Sequence, residues 1–354
     1  MSVTVKKTAD AVGTGLSVTC PRCNEALAFR REENVWRCRA CKFSAQGGPA
    51  YADLGEEAQA DTAAHYSLQW GDAFGFEQFL EQNPRARAAM PLAQLGWDRL
   101  LEEIRSAARD RTVRVFDAGC GFGDIPRRLL TGEREGHLSY VGADIHHALA
   151  GLPARIDGFE SHGLFLRWDI CRPIPIAEPF DYVLCRAALH HTPDPRTTFA
   201  ALCGAVKPGG TIALSVYRKK GVCREAVDDA LRARIAPLPP EEAFEVCRQL
   251  TAFGKALAQV QGTCELSKDL PLPGIKKGTW RVQELIYSAL VKCFYNEEFG
   301  DQFSTLVNYD WYHAPNAHRF ELAEVEGWFA EQGIEVRDRT SIDAQHYVAG
   351  VRRA

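Results

Sequence analysis

The sequence predicts an α/β protein with a doubly wound, mostly parallel sheet and a small cysteine-rich module ahead of it. Three observations lead there. The stretch "TVRVFDAGCGFGDIPRRLL" reads as a β-rich run, a glycine turn and a helix, the opening of a nucleotide-binding α/β unit. Further β-rich runs follow at α/β spacing, in "HLSYVGADI", "LFLRWDI", "PFDYVLCRAALHH" and "VKPGGTIALSVY". Near the start, "CPRCNEALAFRREENVWRCRAC" holds two CxxC pairs fourteen residues apart.

The 354 residues suffice for two domains or one large domain with additions. At 46% hydrophobic and 25% charged the composition is that of a soluble globular chain. The net charge of −4 provides no global basic field for a polyanion, which argues against a nucleic-acid partner. Two early lysines are not followed by an apolar run, and no window approaches a membrane span, so the reading is cytoplasmic.

Of the twelve cysteines, eight are scattered, mostly in apolar runs, and read as small buried hydrophobes. The other four, Cys20, Cys23, Cys38 and Cys41, form the CxxC pairs. Two residues between cysteines let both thiolates reach one tetrahedral ion, and two such turns complete a closed structural zinc site. Disulfide pairing is the alternative, disfavoured in a reducing compartment. Residues 18–46 therefore resemble a zinc ribbon, with Leu27, Phe29, Val35 and Trp36 covering the metal, after a flexible N-terminus over 1–17. Six basic and three acidic side chains leave the module near +1 once four thiolates and Zn²⁺ are counted. So weak a positive charge favours a structural or protein-docking role, with a protein partner or second subunit as its target. Residues 47–61, rich in Gly, Ala and acids, read as a linker, and residues 62–110 read as helical.

Gly119, Gly121 and Gly123 give GxGxG, not the GxGxxG of a dinucleotide site, with Asp117 two residues ahead. Asp144 closes the second strand, where a carboxylate can accept both hydroxyls of a ribose. Asp169 closes the third, within reach of an adenine amino group. Taken in order and spacing, residues 114–217 resemble a class I S-adenosylmethionine-dependent methyltransferase. "GIEVRDRT" and "HYVAGVRR" match that family's last two strands. The resemblance implies a Rossmann-like, seven-stranded sheet with the last strand antiparallel, its core over 111–217 and 333–354. It implies S-adenosylmethionine as the cofactor, with glycines giving the methionine part close backbone access. Asp117 would orient the turn or meet the ligand's ammonium through water, Asp144 would hold the ribose and Asp169 the adenine. Ile145 and Ile170 would sandwich the ring, and Arg186 would contact cofactor or substrate or form a salt bridge. Tyr66 and Trp70, at helical spacing in "HYSLQW", either close over the cofactor or simply pack.

Methyl transfer from a sulfonium needs alignment, exclusion of water and, for some acceptors, a base. His190 and His191 follow the fourth strand directly and are candidates, although this family often uses the second His of such a pair to hold the turn. About 115 residues separate the fifth and sixth strands. Over 218–332 they predict a helical cap shaping a substrate pocket, with helices at 224–235, 241–261 and 279–299. Within it, "NYDWYHAPNAHRF" (308–320) shows no regular period and reads as a loop, either packed or facing the acceptor with Tyr312 or His318 as base or orienter. A looser likeness joins it to bacterial methyltransferases of small-molecule and polysaccharide gene clusters.

The leading expectation is methylation of a small molecule at O, N, S or C. "CRAALHH" stands where an Asn/Asp-Pro-Pro-aromatic tetrad would mark methylation of a base amine or glutamine amide. The alternatives are a zinc-ribbon rRNA or tRNA methyltransferase, separable by salt-dependent RNA binding, and a cofactor-binding scaffold without turnover.

Overall fold

The computed structural model describes residues 15–55, 60–70, 79, 82–84, 95–130 and 137–353. One sheet of eleven strands runs through it in the order β1-β2-β3-β4-β7-β6-β5-β8-β9-β13-β12. Its centre consists of β5 (Val113–Ala118), β6 (Leu138–Asp144), β7 (Gly163–Arg167), β8 (Phe180–Arg186) and β9 (Val206–Tyr217), all paired in parallel. β13 (Gln345–Arg352) lies antiparallel to β9, and β12 (Ile334–Ser341) antiparallel to β13. The predicted seven strands are present in this group, with the last strand of the chain antiparallel as expected.

Four more strands correct the count. β1 (Leu27–Arg30), β2 (Val35–Cys38) and β3 (Ser44–Gly48) form the cysteine-rich module, and β4 (Tyr51–Asp53) follows a tight turn. β4 pairs in parallel with β7, which makes the module an extension of the core sheet. Within the expected linker, Gly47 and Gly48 end β3, Tyr51–Asp53 form β4, and Trp36 holds the turn between them by donating from Nε1 to the carbonyls of Gly48 (3.1 Å) and Tyr51 (3.0 Å). Of the expected flexible N-terminus, 1–14 lie outside the described residues. Leu16 is buried, and Ser17 gives both its backbone N–H and its hydroxyl to the Glu178 carboxylate at 2.8 Å.

Both faces of the parallel strands are covered, which is why they read as unbroken apolar runs. On one face pack α2 (Trp97–Asp110) and α3 (Asp124–Leu130). On the other pack α5 (Pro195–Ala205), α10 (Leu322–Glu331) and the cysteine-rich module. α10 belongs to this core, not to the cap, since Val325, Trp328 and Phe329 share one cluster with Phe199 and Val348. α4 (Phe159–His162) is a single turn before β7.

The cap contains α6 (Val222–Ile235), α7 (Pro240–Ala258), α8 (Val282–Ala289) and α9 (Gly300–Tyr312). It is not wholly helical: β10 (Thr263–Leu266) and β11 (Gly278–Arg281) form a hairpin where the start of the 279–299 helix was expected. The 308–320 segment also differs from expectation, because Asn308 to Tyr312 finish α9. Asn308, Tyr309, Trp311 and Tyr312 are all buried. A helix enclosed on nearly all sides shows no amphipathic period, and its polar tips serve internal partners. α1 (Ala60–Trp70) lies across the mouth of the site described next. No helix among the described residues is long and apolar enough to cross a membrane.

Candidate active site

A cavity of about 470 Å³ opens at the carboxyl ends of β5, β6 and β8. The strand order reverses between β5 and β8, and open α/β sheets bind ligands at such switch points. The glycine turn forms its floor. Gly119, Gly121 and Gly123 all take positive φ (+74°, +51° and +77°). A Cβ on Gly119 would stand 2.2 Å from that of Ala188, so the turn closes only around glycine. Ala187, without that freedom, still takes φ +54° where β8 ends, a local strain of about 1–3 kcal/mol placed on the cavity wall.

Asp144 sits beside the turn and orders it. Its Oδ2 accepts from Gly121 N (2.8 Å) and its Oδ1 from Ile145 N (2.7 Å). His146, fully buried, meets the Gly121 carbonyl from the other side at 3.0 Å. Asp144, Ile145 and Ile170 line the cavity, and Trp168 adds a wall that the sequence reading missed. Asp117, Gly123 and Asp169 are not among the lining residues. Asp117 lies beneath the turn and accepts from the Tyr140 hydroxyl at 2.6 Å, and burial raises its carboxyl to about 7. Asp169 accepts from Cys171 N and fixes the turn after β7. Arg186 lines the cavity and also pairs with Asp124 at 3.3 Å.

α1 supplies the lid. Tyr66 and Trp70 line the cavity with Thr62 and Gln69. The Tyr66 hydroxyl is buried there with no hydrogen-bond partner among the described residues. An orphaned hydroxyl, a glycine cradle and a buried carboxylate between apolar walls fit an adenosyl sulfonium amino acid.

The cap closes the other end. Asp310, from α9, is the polar centre: Oδ1 accepts from Gln69 Nε2 (3.0 Å), and Oδ2 accepts from the Tyr217 hydroxyl and lies 3.8 Å from His191 Nε2. Burial pushes its carboxyl up, but the Tyr217 hydroxyl and the nearby Lys292 ammonium outweigh that and hold it below the usual range. His191 lines the cavity. Its Nδ1 contacts the Asn316 carbonyl at 2.7 Å, which assigns the proton to Nδ1 and leaves Nε2 as an acceptor. Burial keeps this imidazole neutral by lowering its pKa.

The remaining catalytic candidates lie elsewhere. His190 is fully buried and packed on the Tyr217 ring at 3.7 Å, so it supports the wall without facing a substrate. Tyr312 points away from the cavity and donates to Asp228 Oδ1 (2.7 Å) and the Lys292 carbonyl (3.0 Å). His318 gives its backbone N–H to the His190 carbonyl and does not line the cavity. The sequence reading missed Lys292 and the role of Asp310, although Asp310 fell inside the segment it singled out.

The four N-terminal cysteines converge, with all four sulfurs within 4.8 Å of one another. Cys20–Cys41 and Cys23–Cys38 are 3.5 and 3.4 Å apart, near the roughly 3.8 Å edge of a tetrahedral zinc–thiolate site.

Comparison with known proteins agrees with this geometry. A family model described as a methyltransferase domain matches residues 116–212. An uncharacterised methyltransferase of Mycobacterium tuberculosis (strain ATCC 25618 / H37Rv) is 32% identical over 125 residues, 35% of this chain and 59% of that one. A ubiquinone biosynthesis O-methyltransferase of Aromatoleum aromaticum is 32% identical over 110 residues, 30% of this chain and 44% of that one. The chain thus spans less than two thirds of the length of these curated relatives. Among solved structures, the N-methyltransferase NodS of Bradyrhizobium japonicum WM9, in complex with S-adenosyl-L-homocysteine, aligns over 83% of this chain and 100% of its own, at 12% identity and TM-score 0.42. With the motifs, the family match and the sheet order in agreement, the chain carries a class I S-adenosylmethionine-dependent methyltransferase domain.

Proposed function

We propose that the protein transfers a methyl group from S-adenosylmethionine to a small molecule enclosed between the strand ends and the cap. The observation that carries this reading is that one continuous cavity joins the glycine turn and Asp144 to an aromatic chamber walled by cap residues such as Phe294, Phe299 and Phe303. A chamber of that kind excludes water and suits a compact apolar acceptor better than a polymer. The sulfonium cofactor supplies an activated methyl group with a neutral leaving group. Asp144 holds the ribose, Ile145, Ile170 and Trp168 flank the adenine, and the glycine turn admits the amino-acid part. His191 Nε2 accepts a proton from the acceptor, and Asp310 stabilises the imidazolium that results.

We infer also that Cys20, Cys23, Cys38 and Cys41 hold a structural Zn²⁺ that fixes the edge of the core sheet. The ribbon's buried side chains Leu27, Trp36 and Phe43 share a cluster with Trp168 and Ile170, which supports an internal role rather than a docking one.

Native mass spectrometry with added S-adenosylhomocysteine should find one zinc and one nucleoside per chain. Labelled S-adenosylmethionine incubated with small-molecule extracts and, separately, with total RNA then identifies the acceptor class. Label passing only into RNA would overturn the small-molecule reading. His191→Gln should lower kcat about 10²–10⁴-fold with nucleoside affinity unchanged.

A further inference from the structure

The cap carries a cation to which the described residues offer no hydrogen-bond or ion-pair partner. Lys292 follows α8 and lines the acceptor end of the cavity, yet it is only 5% exposed. Its backbone is pinned on both sides, with N–H given to Asp228 Oδ1 at 3.0 Å and the carbonyl receiving the Tyr312 hydroxyl. The ammonium rests over the Trp311 ring at 4.4 Å and near the Tyr217 ring at 5.8 Å. Among the described residues it has no hydrogen bond and no ion pair.

The nearby carboxylates are committed elsewhere. Asp228 receives Arg224 Nε (2.6 Å), Trp311 Nε1 (3.0 Å) and Tyr312 OH as well as the Lys292 backbone. Asp310 is shared by Tyr217, Gln69 and His191. Burying an ammonium without a partner is costly, and binding sites keep such groups for a ligand that completes them. Trp311 and Tyr217 attract the cation but supply no hydrogen-bond acceptor of their own.

We propose that Lys292 anchors the methyl acceptor by an anionic oxygen, a carboxylate or phenolate borne on a planar apolar body. This deepens the methyltransferase reading and rests on it. The aromatic wall takes the body of the acceptor, and the ammonium takes its charge. That division sets orientation, because only one end of the molecule can meet Lys292 while another faces the cofactor.

Protonation gives the proposal a signature. Burial lowers Lys292 to about 7, opposed by Asp310 and Asp228 and assisted by Arg224 and Lys220. Near pH 7 both forms are populated, and an anion beside Nζ restores the ammonium. A carboxylate should therefore take up about half a proton on binding, and a phenol, which brings its own, should release about half.

The test is calorimetry on the full chain saturated with S-adenosylhomocysteine, using 2-naphthoate, 2-naphthol and 2-naphthamide in buffers of different ionisation enthalpy. We expect naphthoate or naphthol to bind at least tenfold tighter than the amide, with the matching proton exchange. Lys292→Met should abolish both the preference and the exchange while still binding S-adenosylhomocysteine. The wild-type buffer dependence stands by itself should that variant not fold. Failure of the wild type to bind S-adenosylhomocysteine would sink the methyltransferase reading. Cofactor binding with no preference for the anionic probes, no binding of any probe, or a preference retained in Lys292→Met would sink the anchor alone.

Discussion

The two ends of the cavity are built from different materials. The cofactor end is mostly backbone: three glycines at positive φ, a carboxylate whose oxygens collect main-chain N–H groups, and a buried imidazole on a main-chain carbonyl. The acceptor end is side chains held by side chains, with Asp228 and Asp310 each joining residues far apart in sequence. A backbone cradle fails when atoms are added. A side-chain network fails when a partner is removed. The first suits a ligand whose shape never changes, and the second lets specificity alter one residue at a time.

The contrast is sharpest at Asp228, which is fully buried together with Arg224. Asp228→Ala leaves an uncompensated buried guanidinium and should cost about 3–5 kcal/mol of stability in chemical denaturation, most of it from the cap. At the cofactor end the damaging change is the smallest addition. Gly119→Ala must accept a positive φ and a Cβ clash. The turn should relax to escape about 1–3 kcal/mol of φ strain, and re-closing it on S-adenosylhomocysteine should cost affinity of that order, read by titration, with little change in melting temperature. Equal losses in stability and affinity for both variants would erase the distinction.

A smaller effect separates the ends by pH. Asp117, under the cofactor, has its folded pKa raised to about 7 by burial. Its contribution is complete below the unfolded carboxylate value near 4 and is lost as pH rises through 7. His65, within the lid helix α1, is held neutral to about 3 by burial. Its contribution is complete above about 6.5 and is lost as pH falls towards 3. The stability gap between wild type and Asp117→Asn should therefore narrow with rising pH. The gap to His65→Gln should narrow with falling pH. Each slope is about 1.4 kcal/mol per pH unit, measured by denaturant melts between pH 4.5 and 6.5.

The same division governs what the sequence disclosed. The cofactor end was legible because its geometry is local: strand, turn and helix lie within twenty residues, and glycines at fixed spacing have one structural use. Asp144 and Ile145 lie one strand further along and follow from that frame. The acceptor end was not legible, since Lys292 becomes informative only when Asp228 and Asp310 are seen to be engaged elsewhere. Tyr312 and His318 drew notice for their chemistry, yet a buried helix and a packed turn use them as internal braces. The 47–61 stretch read as linker because a three-residue strand of mixed burial, Tyr51–Asp53, carries almost no pattern. Its assignment depends on β7, more than one hundred residues away.

The junction of β4 with β7 has a consequence for how the protein fails. A parallel sheet ending at β7 would offer a bare row of hydrogen-bonding groups to any other chain, and such edges are templates for aggregation. Here the row is consumed by β4, and the sheet then continues through three short antiparallel strands of four or five residues. The four converging sulfurs are one tie on those strands, beside the Trp36 bonds and the buried ribbon side chains. Oxidation of the sulfurs would thus be felt as insolubility, with chains pairing along an uncovered edge.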